Sequence, residues 1–135
     1  MSNTILPAGE PTLKIPARPQ DVNIFGDIFG GWLMSQVDMA GAMCAMDRAR
    51  SRVATRAVSE FQFLKPVKVA DLVLLYAKLE CVGTTSLTVD VDVYIERFVP
   101  PSFEQLIQKV AEARLVYVAI SADGSIRAVP PAAAG

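Results

Sequence analysis

The chain has 135 residues, 52% of them hydrophobic and 20% charged, with a formal net charge of −1 and no histidine. That size suits one domain spanning residues 1–135, with its core over about 12–130, and the balanced charge removes any global electrostatic case for nucleic acid or an anionic membrane. The missing histidine excludes Ser-His-Asp and Cys-His nucleophile pairs and HExxH zinc sites. Cys44 and Cys81 stand far apart in apolar runs. They are expected to be buried, reduced thiols, since neither disulfide nor metal-ligand spacing is present. No metal is expected, and no motif calls for a cofactor.

The first residues, MSNTILP, lack a basic stretch followed by an apolar core, so they do not read as a signal peptide, and a cytoplasmic protein is expected. Residues 12–15 form a short edge strand stopped by Pro16. Residues 17–29, with Pro19, Asp21, Asn23 and Gly26, are a loop. A helix follows over about 30–50. Its middle is apolar on nearly every face, so it is a central helix to be wrapped by other elements. The apolar run 28–46 approaches membrane-span length, but Gly30, Gly31, Ser35, Gln36, Asp38 and Gly41 make it too polar to span.

After the helix the period changes to two. Residues 55–64 alternate, with Ala57, Ser59, Phe61 and Phe63 on one face, and Pro66 ends the strand. Residues 71–82 are a second strand. The third, 85–97, alternates most cleanly: Leu87, Val89, Val91, Val93 and Ile95 point one way, and Thr88, Asp90 and Asp92 the other. The link at 82–84 is hairpin-sized. Residues 98–108, with Pro100 and Pro101, read as a loop before a last strand at 109–121. One buried helix followed by strands joined in sequence gives an α+β domain with an antiparallel sheet curled around the helix.

Asp38 is the candidate for the chemistry, beside the plainer reading of a structural carboxylate held by backbone or Ser/Thr groups. It is the only charged residue between Asp27 and Asp47. A carboxylate in so apolar a stretch costs several kcal/mol to desolvate unless it is paired or used. With no histidine it is the natural acid/base. Gly30 and Gly31 sit where the helix begins. Free backbone N–H groups at the positive end of a helix polarise a carbonyl or hold an oxyanion, and glycine admits close approach. Gly30 and Asp38 lie eight residues apart, roughly 12 Å along one helix. One small reacting centre cannot touch both within a chain, so a site using both needs a second copy across a two-fold axis. Asn23 reads first as a turn or capping residue, and its amide also suits orienting a water or a carbonyl. Gly83, Thr84, Thr85 and Ser86 form a hairpin turn whose N–H and hydroxyl groups suit a phosphate.

The run DVNIFGDIFGGWLMSQVD at 21–38 resembles the signature of hotdog-fold acyl-CoA thioesterases, in particular the bacterial YciA-like group. Supporting matches follow in order at FLKP (63–66), GTTS (83–86), VYVA (116–119) and DG…RAVP (123–130). The resemblance implies an α+β hotdog fold and hydrolysis of acyl-CoA to free acid and CoA. It implies a homo-oligomer, either a dimer or a trimer of dimers, and no cofactor beyond the CoA of the substrate. It places the catalytic carboxylate at Asp38, the carbonyl-polarising N–H at Gly30, and an asparagine from the other subunit at Asn23. The family pattern often carries Asn where Phe25 stands, which alters the pocket near the thioester, and Gly where Ala70 stands. The depth of the acyl pocket is expected to depend on Trp32, Met34, Met43 and Phe61. The alternative reading is a non-catalytic acyl-CoA or lipid-binding hotdog module, which has no use for an ionised Asp38.

Overall fold

Residues 30–49 contain no proline and are richest in Ala, Met and Gly. In the computed structural model, which describes residues 4–132, they form one helix, α1 (Gly30–Ala49). Arg50 ends it in the left-handed region at φ 55°, its N–H closing on the Met46 carbonyl at 2.9 Å. Strands are β1 (Leu13–Pro16), β2 (Arg52–Phe63), β3 (Leu72–Val82), β4 (Ser86–Val99) and β5 (Glu104–Ile120). They form one sheet in the order β1-β3-β4-β5-β2, with every neighbouring pair antiparallel. A long helix backed by a curled antiparallel sheet is the α+β hotdog architecture expected from the sequence.

The core lies between the sheet and one stripe of the helix. Leu33, Val37, Ala40, Gly41, Ala45 and Ala49 face inward, and so do all five residues of the β4 alternation, Leu87 to Ile95. The outer face of β4 is polar, as its pattern required. Asp90 takes a two-pronged bond from Arg114 (2.7 and 3.0 Å), and Lys109 bridges Asp92 and Glu112. Among the described residues, no helix is long and apolar enough to cross a membrane.

Five sequence expectations need correction. The helix is covered on one side only: Met34, Met39, Met43 and Met46 are 40–48% exposed, because one sheet can cover only half of a cylinder. The segment 98–108 is not a loop. β4 runs to Val99 and β5 starts at Glu104, so only residues 100–103 turn. A bulge at Val110 of β5, opposite the Val93–Tyr94 step of β4, shifts the period and hides the alternation of early β5. β2 does not neighbour β3. It pairs with β5 on the far edge, and residues 64–71 cross the start of the helix, held by Ile28 N–H to the Val67 carbonyl at 3.0 Å. Two bulges in β2 break its strict alternation. The residues opposite the inward-facing Tyr117, Leu115, Ala113 and Ala111 are therefore Thr55, Val58, Phe61 and Phe63, in place of Ala57 and Ser59. Finally, the two cysteines are free, but Cys81 is exposed beside a register shift near the end of β3, and Cys44 is only half-buried.

Candidate active site

Asp38 stands on the third turn of α1, half-buried, where β2 and β5 pass the helix. Its Oδ1 accepts two hydroxyl bonds, from Thr55 Oγ1 at 2.7 Å and from the Tyr117 phenol at 3.0 Å. The phenol also lies 2.9 Å from the backbone carbonyl of Asp38. Thr55 and Tyr117 are register partners across the β2/β5 pair, so the sheet presents both hydroxyls side by side. Tyr117 is fully buried. Burial first, and then the Asp38 charge and hydrogen bond, hold its phenol far above the usual range, so it stays a neutral donor. Gly41 makes this approach possible, since a Cβ there would collide with the phenol oxygen. A cavity of about 240 Å³ opens beside the carboxylate, lined by Met34, Ser35, Thr55, Val58, Phe61 and Leu115. Of the residues expected to shape an acyl pocket, Met34 and Phe61 are here, while Trp32 and Met43 are not among its lining.

The helix N-terminus is a separate place. No side chain caps it, and among the described residues the Gly30 and Gly31 N–H groups have no partner. Gly30 is closed over by Phe63, whose ring would lie 3.1 Å from a Cβ at that position, whereas Gly31 is open. A largely apolar cleft of about 350 Å³ runs past Gly30, with Phe29, Leu33, Phe63 and Pro66 in its wall. The Asn23 side chain builds the loop leading to this end. Its Oδ1 accepts the N–H groups of Phe25 at 2.8 Å and Asp27 at 3.1 Å, so only the amide NH2 remains to meet anything else. Phe25 projects from that turn, 83% exposed.

Gly83, Thr84, Thr85 and Ser86 turn between β3 and β4, next to the Leu87–Tyr117 pair and so toward the Asp38 end of the sheet. The Gly83 N–H closes the turn on the Ser86 carbonyl at 2.8 Å. The Thr84 and Thr85 carbonyls accept the N–H groups of Val129 and Ala119. One chain therefore keeps the predicted residues apart, with Gly30 and the loop of Asn23 at the start of the helix and Asp38 on its third turn. Among the described residues no group of three or more His, Cys, Asp or Glu side chains is arranged to hold a metal.

Residues 25–97 match the family described as the Thioesterase superfamily. The acyl-CoA thioester hydrolase YciA of Salmonella typhimurium is 43% identical over 130 residues, 96% of either chain. This chain is a hotdog-fold thioesterase of the YciA-like group. The fold agrees: a hexameric hotdog-fold thioesterase of Campylobacter jejuni superposes on this thioesterase with a TM-score of 0.87 at 38% identity, covering 90% of this chain and 91% of the other. The acyl-CoA hydrolase of Staphylococcus aureus, solved with butyryl coenzyme A and coenzyme A, gives 0.76 at 30% identity over 87% of this chain and 70% of the other. That enzyme has also been solved with an asparagine, an aspartate or a threonine changed to alanine.

The sequence reading missed Thr55, Tyr117 and Gly41. Thr55 looked like any strand threonine, and Tyr117 was one position in a supporting match. Thr55 lies 17 residues from Asp38 and Tyr117 lies 79, so only strand pairing brings them to the carboxylate.

Proposed function

We propose that this thioesterase hydrolyses acyl-CoA to a carboxylic acid and CoA at a site assembled from two protomers. Asp38 of one protomer would face Asn23 and the Gly30 N–H of the other. The observation that carries this is the division of the site: each half, within one chain, lacks what the other holds. The exposed methionine side of α1 is the surface a second copy would cover. The three positions changed in the S. aureus hydrolase are spaced 15 and 17 residues apart, and the same spacing separates Asn23, Asp38 and Thr55 here.

In this reading the acyl carbonyl points at the helix N-terminus, where the Gly30 N–H and the helix dipole stabilise the developing oxyanion, and the Gly31 backbone borders the thioester. Asp38 takes a proton from a water as its oxygen bonds to the carbonyl carbon. The C–S bond then breaks and CoA leaves as the thiolate, to be protonated. In the covalent variant Asp38 itself attacks the carbonyl carbon, the C–S bond breaks to expel CoA as the thiolate, and water then cleaves the mixed anhydride to the free acid and the Asp38 carboxylate. The Asn23 NH2, the only part of that side chain left unengaged, orients the water or the carbonyl as a donor. The turn at Gly83, Thr84, Thr85 and Ser86 is the proposed contact for a phosphate of CoA. The dimer is the smallest unit with complete sites, and a trimer of dimers is the proposed larger assembly, the C. jejuni relative being hexameric. A cytoplasmic location is proposed on composition alone.

The test mixes two inactive chains. Asp38→Ala and Asn23→Ala homodimers release no thiol from acyl-CoA of any chain length. A differently tagged heterodimer of the two restores one intact site, and so about half the wild-type rate per dimer. Full activity in Asp38→Ala, or no recovery in the heterodimer, sinks the scheme. Binding of acyl-CoA without thiol release by the unmodified protein would favour the non-catalytic module.

A further inference from the structure

Two hydroxyl donors converge on the same oxygen of Asp38. Thr55 Oγ1 lies 2.7 Å from Oδ1 and the Tyr117 phenol 3.0 Å from it. Among the described residues Oδ2 receives no hydrogen bond, although the side chain lines a cavity of about 240 Å³. The phenol is also 2.9 Å from the Asp38 backbone carbonyl, so it registers the side chain against its own helix turn. The helix gives up a side chain at Gly41 to admit this ring. A carboxylate on a helix ordinarily turns about χ1 and χ2 among several rotamers, and its two oxygens exchange roles.

We infer that Tyr117 is a positioning residue which, together with Thr55, clamps Oδ1 of Asp38 and reserves Oδ2 as the oxygen that takes the proton or attacks the thioester. The inference rests on the reading of Asp38 as the catalytic carboxylate. Tyr117 is buried behind the helix and does not meet the substrate; it acts through Asp38. Gly41 belongs to the same device, because any side chain there drives the phenol off. Two donors on one oxygen make the clamp redundant: either alone still holds the carboxylate approximately, and loss of both frees it.

The experiment compares kcat and KM for acyl-CoA in Tyr117→Phe, Thr55→Ala and the double variant, with Tm and dimer mass measured in parallel. Each single change is expected to lower kcat about ten-fold with KM within about two-fold. The double change lowers it by more than the product of the two, several hundred-fold, as expected when a reacting group is misplaced by about an ångström. Gly41→Ala lowers kcat in the wild-type background and lowers it by a smaller factor in the Tyr117→Phe background, where the colliding oxygen is gone and only the tight ring-carbon contacts at 3.0 and 3.1 Å remain. A purely structural Tyr117 would lower Tm and leave kcat intact well below the transition, and that result overturns the inference. So does a double variant whose kcat loss is no larger than the product of the singles, or one that changes KM alone. Asp38→Ala is the separate control: if it stays active the catalytic reading itself has failed, whereas an inactive Asp38→Ala beside a fully active double variant refutes only the clamp.

Discussion

Asn23→Asp separates the two jobs of one side chain. Asn23 Oδ1 holds the loop by accepting the N–H groups of Phe25 at 2.8 Å and Asp27 at 3.1 Å, and an aspartate oxygen accepts both equally well. Stability should therefore stay within about 0.5 kcal/mol of wild type. The NH2 donors are lost, and a second carboxylate appears where Asp38 of the other protomer is proposed to lie. Loss of a single donor to a developing oxyanion costs about 10²–10³ in kcat, or about 2.7–4 kcal/mol, and repulsion between carboxylates adds to it. Asn23→Ala, by contrast, removes both turn bonds. It should lose about 1–2 kcal/mol of stability as well as activity, since each bond contributes about 0.5–1.5 kcal/mol and water replaces part of it at this partly exposed loop. Thiol release gives kcat and KM, and thermal unfolding at fixed protein concentration gives the stability. The reasoning is refuted if Asn23→Asp keeps kcat within a few-fold of wild type, or if it unfolds as early as Asn23→Ala.

Ala70 adopts φ 73° where the family pattern often has glycine, so Ala70→Gly should relieve the left-handed strain and stabilise by about 0.5–1 kcal/mol in urea unfolding, net of the glycine entropy cost. Asp71 is 1% exposed and accepts two bonds of 2.7 Å from Arg97, whose guanidinium is held above its usual pKa by that contact; Asp71→Ala should cost about 3–5 kcal/mol, read as a fall in the urea midpoint. Tyr117 has a folded pKa raised above its unfolded value. Its contribution to stability is then complete below the unfolded phenol pKa of about 10 and is lost as pH rises beyond it. Between about pH 9 and about pH 11 wild-type Tm should drop further than that of Tyr117→Phe, and parallel Tm curves would contradict the assigned cause.

Periodicity makes some elements legible from residues alone. The five inward residues of β4 and the long helix are written in local patterns, and every inward position found in β4 belongs to a clean period of two. Where a bulge inserts one residue, as at Val110 in β5 and twice in β2, the period is broken and the local pattern misleads. The true start of β5 and the inward position of Val58 are hidden from the local pattern for that reason. The candidate residues were partly legible too. Asp38 stands out as a lone charge, and helix rise alone separates it from Gly30. The hydroxyl clamp was not, because nothing local to Thr55 or Tyr117 sets it apart from an ordinary sheet residue.

The amino-acid sequence by itself determined the element types, the central helix, the suspect carboxylate and the family. Those are local properties or long contiguous motifs, such as the run at 21–38. Tertiary structure alone decided that β2 lies beside β5 with Thr55 opposite Tyr117, that its two bulges turn Val58 toward the helix in place of Ala57 and Ser59, and that Gly41 leaves room for the ring. Pairing between strands depends on which surfaces can be buried together around the helix, and the residues that meet there are far apart along the chain. A carboxylate is visible in a sequence; which of its oxygens is held, and by what, is a property of the fold.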